Sequence, residues 1–370
     1  MSVQRARELV LKYGWNATAY QIVNPGMAHW FSQRGDAMIG YVRKFGVRVV
    51  AGAPVCANER LVEVLAEWEA DAKNSGDKTC YFGAADRLKD LLESSKQYST
   101  VSLGSQPVWD PANWEDVIRS HASLRAQLAR ARNKGVTVSE WKEDRATQNI
   151  ELRRVLDEWL QTRGLPTLHF LVEPETLSLM SDRRAFVAEQ HGRVVGFTVL
   201  CPITNRNGWL TEQFPRGYDA PNGTVELLMD TAIRTVASEG ANYVTMGLVP
   251  LSENGRETGE ENPSWLKVLL SWVRAHGRRF YNFGGLEKFK AKFDPDYWEP
   301  IYAISNECHF SVLSLYAIAA AFTDQSPLLA VASGLAKAVR QEWRWGTKKI
   351  LAQRCKDAEK KRKSTFWKNI

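Results

Sequence analysis

The sequence predicts an α/β (α+β) fold made of two related units followed by a basic, helical tail. Three observations predict it. The order helix, antiparallel strands, helix, strand, helix occurs twice, each time over roughly 150 residues. Hydrophobic residues make up 44% and charged residues 25% of the 370 positions, enough apolar material for a sizeable core. The positive charge is gathered at one end of the chain rather than spread over it.

The first unit opens with a helical pattern over 3–13, where Ala6, Leu9, Val10 and Tyr13 recur at helical spacing. Phe31 leads into a turn at Gln33-Arg34-Gly35-Asp36, and the run from Ala37 to Val42 leaves it as a strand. Val47 to Ala51 is another strand, ended by Pro54-Val55-Cys56. An amphipathic helix follows over 58–74, carrying Leu61, Val62, Val64, Leu65 and Trp68. Thr79 to Gly83 reads as a strand, Ala84 to Ser94 as a helix, and Val101 to Leu103 as a strand ending at Gly104. One long basic helix is expected from Trp114 to Lys134, with Leu124 and Leu128 inward and Gly135 just past its end. Val136 to Trp141 is then a strand.

The pattern restarts near residue 147. A helix from Asn149 to Thr162 presents Leu152, Val155, Leu156 and Leu160 on one face. Arg184 to Glu189 and Val194 to Ile203 form a hairpin across His191-Gly192-Arg193. A helix at 222–239, a strand at Tyr243 to Gly247, helices at 264–276 and 285–293 and a strand at Trp298 to Ile304 complete the unit. The expected organisation is one lobe at 1–145, a second, catalytic lobe at 146–305, and helices with a basic tail at 306–370.

Cys56, Cys80, Cys201, Cys308 and Cys355 stand far apart and in odd number, which argues against a disulfide framework and points to a reducing compartment. Neither the cysteines nor the six histidines show metal-ligand spacing, so no metal is expected. The first residues, Met1 to Arg7, lack the apolar run of a signal peptide, so a cytoplasmic location is expected. Fourteen tryptophans serve either as large core residues or as interfacial anchors.

The formal net charge is +7, yet residues 337–370 hold twelve basic residues against three acidic ones. The body is therefore near neutral, and the tail suits a polyanion: phosphate backbone or an anionic membrane. Before it lies an apolar stretch from Phe310 to Ala336, cut by Asp324 and Pro327 into pieces too short to span a bilayer. Two short helices with apolar faces are expected there, lying in the membrane interface or packed on the protein's own core.

The second half carries recognisable text. Trp209-Leu210-Thr211-Glu212 is followed by Asp219-Ala220-Pro221-Asn222-Gly223-Thr224-Val225-Glu226-Leu227-Leu228. Phe280 to Leu286 (FYNFGGL), Phe289 to Phe293 (FKAKF) and Trp298 to Tyr302 (WEPIY) come later. In the first half, Gly104-Ser105-Gln106-Pro107 and the helix from Arg125 to Lys134 match more loosely. Together these segments resemble the C-terminal catalytic domain of phosphatidylglycerol lysyltransferases, the multiple peptide resistance factor family, over residues 1 to about 305. The resemblance implies tandem GNAT-like acyltransferase lobes, an aminoacyl-tRNA donor and a lipid acceptor, with no cofactor. Full-length members also carry a multi-span flippase that this sequence lacks. The chain is therefore expected to act in a stand-alone form that meets an anionic membrane lipid through its surface, peripherally on the inner face of the cell membrane.

The implied reaction is attack of a hydroxyl or amine on an activated aminoacyl ester. It requires deprotonation of the acceptor, stabilisation of an oxyanion and clamps for the tRNA end. Asp219 to Gly223 reads as a turn entering a helix, with Asn222 as its N-cap and exposed amides that suit an anion. Glu226 is the candidate for recognising the acceptor or the amino group, with Asp219 as a candidate base; both also suit simple capping of a helix N-terminus. Lys290, flanked by Phe289, suits a phosphate or a developing oxyanion, and Lys288 and Lys292 share a neighbouring helix face. The Fem transferases, which build peptidoglycan, have a similar Phe-Lys pair. Arg278 and Arg279, with the 119–134 helix, suit tRNA phosphates. Tyr302 is either a hydrogen-bond donor near the ester or a core strand residue. Two other readings compete: an acyl-CoA-dependent GNAT enzyme, for which no clear pyrophosphate loop is present, and a non-catalytic membrane- or RNA-binding protein of the same fold. The sequence sets neither the amino acid, the acceptor lipid nor the oligomeric state.

Overall fold

A computed structural model describes residues 2–162, 169–252, 254–255, 262–266 and 283–323. Twelve strands join in one mixed sheet: β1 (Ala28–Phe31), β2 (Met38–Lys44), β3 (Val47–Ala51), β4 (Lys78–Ala84), β5 (Ser99–Trp109), β6 (Val136–Trp141), β7 (Arg184–Gln190), β8 (Arg193–Ile203), β9 (Gly208–Gln213), β10 (Tyr243–Thr245), β11 (Val249–Pro250) and β12 (Tyr297–Ser305). Their spatial order is β1-β2-β3-β4-β12-β5-β10-β9-β8-β7-β6, with β11 also on β5.

The pairing contains two parallel units. β3, the helix Leu61–Asn74 and β4 form a parallel β-α-β unit; so do β9, the helix Thr224–Ser238 and β10. The remaining pairings are antiparallel. Two lobes, each with antiparallel strands running into one parallel pair, give the tandem GNAT-like arrangement. Pairing also crosses the expected 145/146 boundary. β6 joins β7 at one end of the sheet, and β12, from the end of the second half, lies between β4 and β5.

Local chemistry explains most elements. The β7–β8 hairpin turns through His191 and Gly192, both left-handed (φ 51° and 76°), as a two-residue hairpin requires. Asn149 caps the helix Ile150–Gln161 by accepting from the amides of Glu151 and Leu152. Gly135 follows the helix Ala122–Asn133 at φ 79°, the left-handed exit expected of it.

Four expectations change. The helix from Trp114 to Lys134 is two helices, Trp114–Ser120 and Ala122–Asn133, because His121 is extended (φ −103°, ψ 94°). The Ser120 hydroxyl turns back to the carbonyls of Asp116 and Val117, and Arg125 takes the carbonyls of Ile118 and Arg119, which closes the first helix off. β5 runs straight through Gly104, where φ is 133° and a Cβ would sit 2.2 Å from the Val249 carbonyl oxygen of β11. β9 occupies text that gave no strand signal. Gly223, not Asn222, occupies the N-cap of the helix Thr224–Ser238.

The last correction has a packing cause. Gly223 sits at φ 96°, and a Cβ there would lie 2.1 Å from the Gln127 carbonyl oxygen. The helix Ala122–Asn133 thus crosses the start of the next helix at a distance only glycine permits. Asp230 fixes the same contact from inside: buried, it accepts from the Trp114 indole and from Arg132, both at 3.0 Å, and from Arg234 at 2.7 Å.

The helix Val312–Ala321 lays Ala317, Ile318 and Ala321 in one core cluster with Val47, Val49 and Cys80. The first expected helix of the apolar stretch therefore packs on the protein's own core through one face. Residues 324–336, the basic tail, and most of the expected 264–276 helix lie outside the described residues. No helix among the described residues is long and apolar enough to cross a membrane.

Gly223→Ala combines a disfavoured φ with a backbone clash. We expect it to destabilise the protein by about 2–4 kcal/mol in urea unfolding. Unchanged stability would show that the two helices do not meet as described.

Candidate active site

The site is built where the second lobe's parallel pair separates. β10 pairs with β9 through Tyr243–Gly208, Val244–Trp209 and Thr245–Leu210. Beyond Thr245 the chain leaves β9, and the carbonyls of Met246, Gly247 and Leu248 converge on one side chain. Lys290 Nζ donates to them at 2.6, 2.8 and 3.2 Å. Lys290 belongs to the helix Phe283–Ala291 and is 3% exposed. An ammonium has three donors, and here three carbonyls accept them. Burial pushes this amine down to about 7, against carbonyl dipoles that favour its charged form. The sequence expectation of a cation free to meet phosphate is corrected accordingly: a ligand oxygen reaches Lys290 only by replacing one of these carbonyls.

Glu226, in the first turn of the helix Thr224–Ser238, is buried and paired with Lys292. The Lys292 ammonium also lies 4.3 Å from the Phe289 ring centroid and 5.1 Å from that of Phe293. Phe289 stacks obliquely on Phe214 at 5.4 Å and edge-on to Phe293 at 5.4 Å. Phe293 is fully buried, worth about 1.5–3 kcal/mol by apolar transfer. Its carbonyl accepts from the Trp109 indole at 2.9 Å, which ties the end of β5 to this corner. Glu226, from the first turn of one helix, and Lys292, just past the end of the other, are thus brought together, while the Lys290 ammonium is held by the 246–248 carbonyls.

The other sequence-derived candidates are placed elsewhere. Asp219 is exposed and lies 3.5 Å from Arg193 across a surface pair. Asn222 and Lys288 are exposed. Tyr302 is 1% exposed in the first lobe's core, donates to Asp86, and has the Lys89 ammonium 5.0 Å over its ring. Of the two readings of Tyr302, the structure supports the core residue. Arg278 and Arg279 lie outside the described residues.

Two buried polar networks escaped sequence reasoning. Glu299 of β12 accepts from Gln106 (2.8 Å), Tyr243 (2.8 Å) and Arg206 (2.7 Å), and Arg206 lies 3.9 Å over the Tyr243 ring. Burial, with the Glu299 charge, pushes the Tyr243 hydroxyl well above its ordinary range. Arg183 and Glu212, both nearly inaccessible, pair at 2.9 Å; Asn24 and Gln21 from the first lobe join them at 2.7 Å. Glu299 and Glu212 both stood in the recognisable text, but alternation along a strand says nothing about a partner from the other lobe. Thr211, beside Glu212, keeps a buried hydroxyl that has no hydrogen-bond partner among the described residues.

Three amides of the loop before the helix Thr224–Ser238, and of that helix's first residue, have backbone acceptors. Gly217 donates to Val195, Ala220 to Gly217, and Thr224 to Pro221.

Lys290 sets a pH dependence. In the unfolded chain its amine keeps a proton up to about 10.5, whereas the folded protein sheds it above about 7. Between those values the unfolded state binds more protons, so this group makes stability rise with pH. Relative to Lys290→Met, the wild type is expected to gain stability from pH 7 to 9 in urea unfolding. Parallel curves for the two proteins would show that Lys290 titrates normally.

Comparison with known proteins adds the family. Residues 7–305 match the family described as "Phosphatidylglycerol lysyltransferase, C-terminal". A phosphatidylglycerol lysyltransferase of Staphylococcus epidermidis is 24% identical over 316 residues, 82% of this chain and 36% of that protein. The lysylphosphatidylglycerol biosynthesis bifunctional protein LysX of Rhodococcus jostii is 24% identical over 308 residues, 80% of this chain and 26% of that protein. The chain therefore spans about a third or less of the length of these relatives. Among solved structures, the C-terminal domain of a putative lysylphosphatidylglycerol synthetase from Agrobacterium fabrum superposes with TM-score 0.73 at 22% identity, covering 87% of this chain and 97% of that one. L-PGS from Bacillus licheniformis gives 0.70 at 20% identity, with 90% and 95% coverage. These likenesses extend the shared fold over most of the described chain, and the match over residues 7–305 shows that the chain belongs to the phosphatidylglycerol lysyltransferase C-terminal domain family.

Proposed function

We propose that the chain is an aminoacyltransferase that moves an aminoacyl group from aminoacyl-tRNA to a hydroxyl of an anionic, phosphatidylglycerol-like lipid at the inner face of the membrane. The names of its relatives support lysyl transfer to phosphatidylglycerol as the starting assignment. The observation that carries the reading is the Glu226–Lys292 pair held against Phe289. On this reading the lobe at 146–305 is catalytic, and the lobe at 1–145 frames it.

The geometry suggests a division of labour. The acceptor oxygen attacks the ester carbonyl carbon, its proton passes to a base, and a tetrahedral oxyanion forms. The new C–O bond is kept, the bond to the tRNA ribose oxygen breaks, and that oxygen takes up the proton. Glu226 is taken as the base ahead of Asp219, because it is buried in contact with the lysine that would meet the oxyanion, whereas Asp219 is on the surface. Lys292, held by Glu226 and aromatic faces, stabilises the oxyanion as Glu226 gains the proton. Lys290 holds the 246–248 turn open and in register rather than meeting substrate directly. The donor ester is already activated, so the step needs no ATP.

The test uses charged tRNA bearing a labelled amino acid with phosphatidylglycerol vesicles. Wild type should place label in the lipid fraction. Glu226→Gln and Lys292→Met should each lower the rate by about 100-fold or more, with the fold intact. No label in lipid with any aminoacyl-tRNA sinks the reading, and full activity in both variants moves the site elsewhere.

A further inference from the structure

The hairpin between β2 and β3 turns on two residues, Phe45 and Gly46, closed by the pair Lys44–Val47. Both central residues are left-handed, at φ 53° and 74°. Such turns favour asparagine or glycine first, because a side chain with φ above zero is strained. Here the position holds phenylalanine, and its side chain is not sheltered: Phe45 is 57% exposed. Its ring meets that of Tyr316, tilted, 5.1 Å away on the helix Val312–Ala321.

That helix carries apolar residues on its outer face as well as on its inner one. Ser314 is fully buried and hydrogen-bonds Glu307 at 2.9 Å, beside Ala317 and Ile318 in the core. Val312 and Leu313 point outward, 67% and 41% exposed. A helix on an aqueous surface carries polar residues on its outer face. Phe45, Val312, Leu313 and Tyr316 therefore make an apolar patch to which a strained turn contributes its aromatic tip.

We propose that this patch is the surface on which the protein rests in an anionic bilayer. Charge points to that occupant. Lys44 lies beside the tip without an acidic partner among the described residues, and the same helix leads into the segment whose last 34 residues carry nine net positive charges with Trp343, Trp345 and Trp367. Apolar side chains next to cations match the headgroup boundary of an anionic membrane. The inference rests on the reading that the acceptor is a membrane lipid, and it names the face that meets it.

The test compares the full chain with Phe45→Asn/Leu313→Ser in co-sedimentation with phosphatidylglycerol-containing and phosphatidylcholine vesicles, at low and at high salt. Asparagine suits the turn, so the fold is kept. The variant should bind anionic vesicles at least about tenfold more weakly. At high salt, where the tail is screened, wild type should retain binding that the variant loses. Equal binding by the two proteins, or no binding of the wild type to anionic vesicles, overturns the proposal. So does a wild-type dimer that the variant converts to monomer in sedimentation velocity, which would assign the patch to a second copy. Label transfer to detergent-dispersed lipid is read in parallel and should be equal in both proteins. Vesicle binding without any transfer would sink the enzymatic reading and leave the patch standing.

Discussion

The molecule depends on β5. Its eleven residues pair with β12 along one edge and with β10 and β11 along the other, so a single strand belongs to both lobes. Side chains secure that seam. Gln106 of β5, Tyr243 of β10 and Arg206 after β8 converge on Glu299 of β12. Three donors to one buried carboxylate compensate its desolvation, and no single element supplies them all. Remove any one and a buried charge is left short of partners.

The site inherits its geometry from this spine. The Trp109 indole at the end of β5 holds the Phe293 carbonyl, and Phe293 holds Phe289, over which Lys292 meets Glu226. The carbonyls after β10 are gathered by Lys290 instead of by a neighbouring strand. A sheet that parts must satisfy its freed carbonyls in some way. Here a lysine does so from a separate helix, which keeps the opening polar and fixed. The two halves of the chain are also tied by the Gln21–Glu212 and Asn24–Arg183 bridges.

Much of this was legible in the sequence, and what was hidden was hidden for physical reasons. Hydrophobic period gave the helices around Leu65 and Leu156, and His191-Gly192 gave a hairpin, because those signals are local. The break at His121 was invisible: Leu124 and Leu128 continue the apolar period on the far side of it. Gly223 displaced Asn222 from the cap because of a helix more than ninety positions earlier, at Gln127. Lys290 was nominated beside Phe289 for a phosphate or a developing oxyanion, since no local pattern shows that its neighbours are three carbonyls. The strand exchange of β12 is a pairing across some two hundred residues, beyond the reach of periodicity. Glu226 and Lys292 were nominated from text alone; that they touch needed coordinates.

On the proposed function, the donor's aminoacyl end lies against the Glu226–Lys292 pair. A crystal structure with a non-hydrolysable 3′-aminoacylamino-adenosine tests it most directly. The account predicts the amide carbonyl within hydrogen-bond distance of the Lys292 ammonium and the Glu226 carboxylate facing the carbonyl carbon. An analogue bound elsewhere, with the Glu226–Lys292 pair untouched, would contradict it.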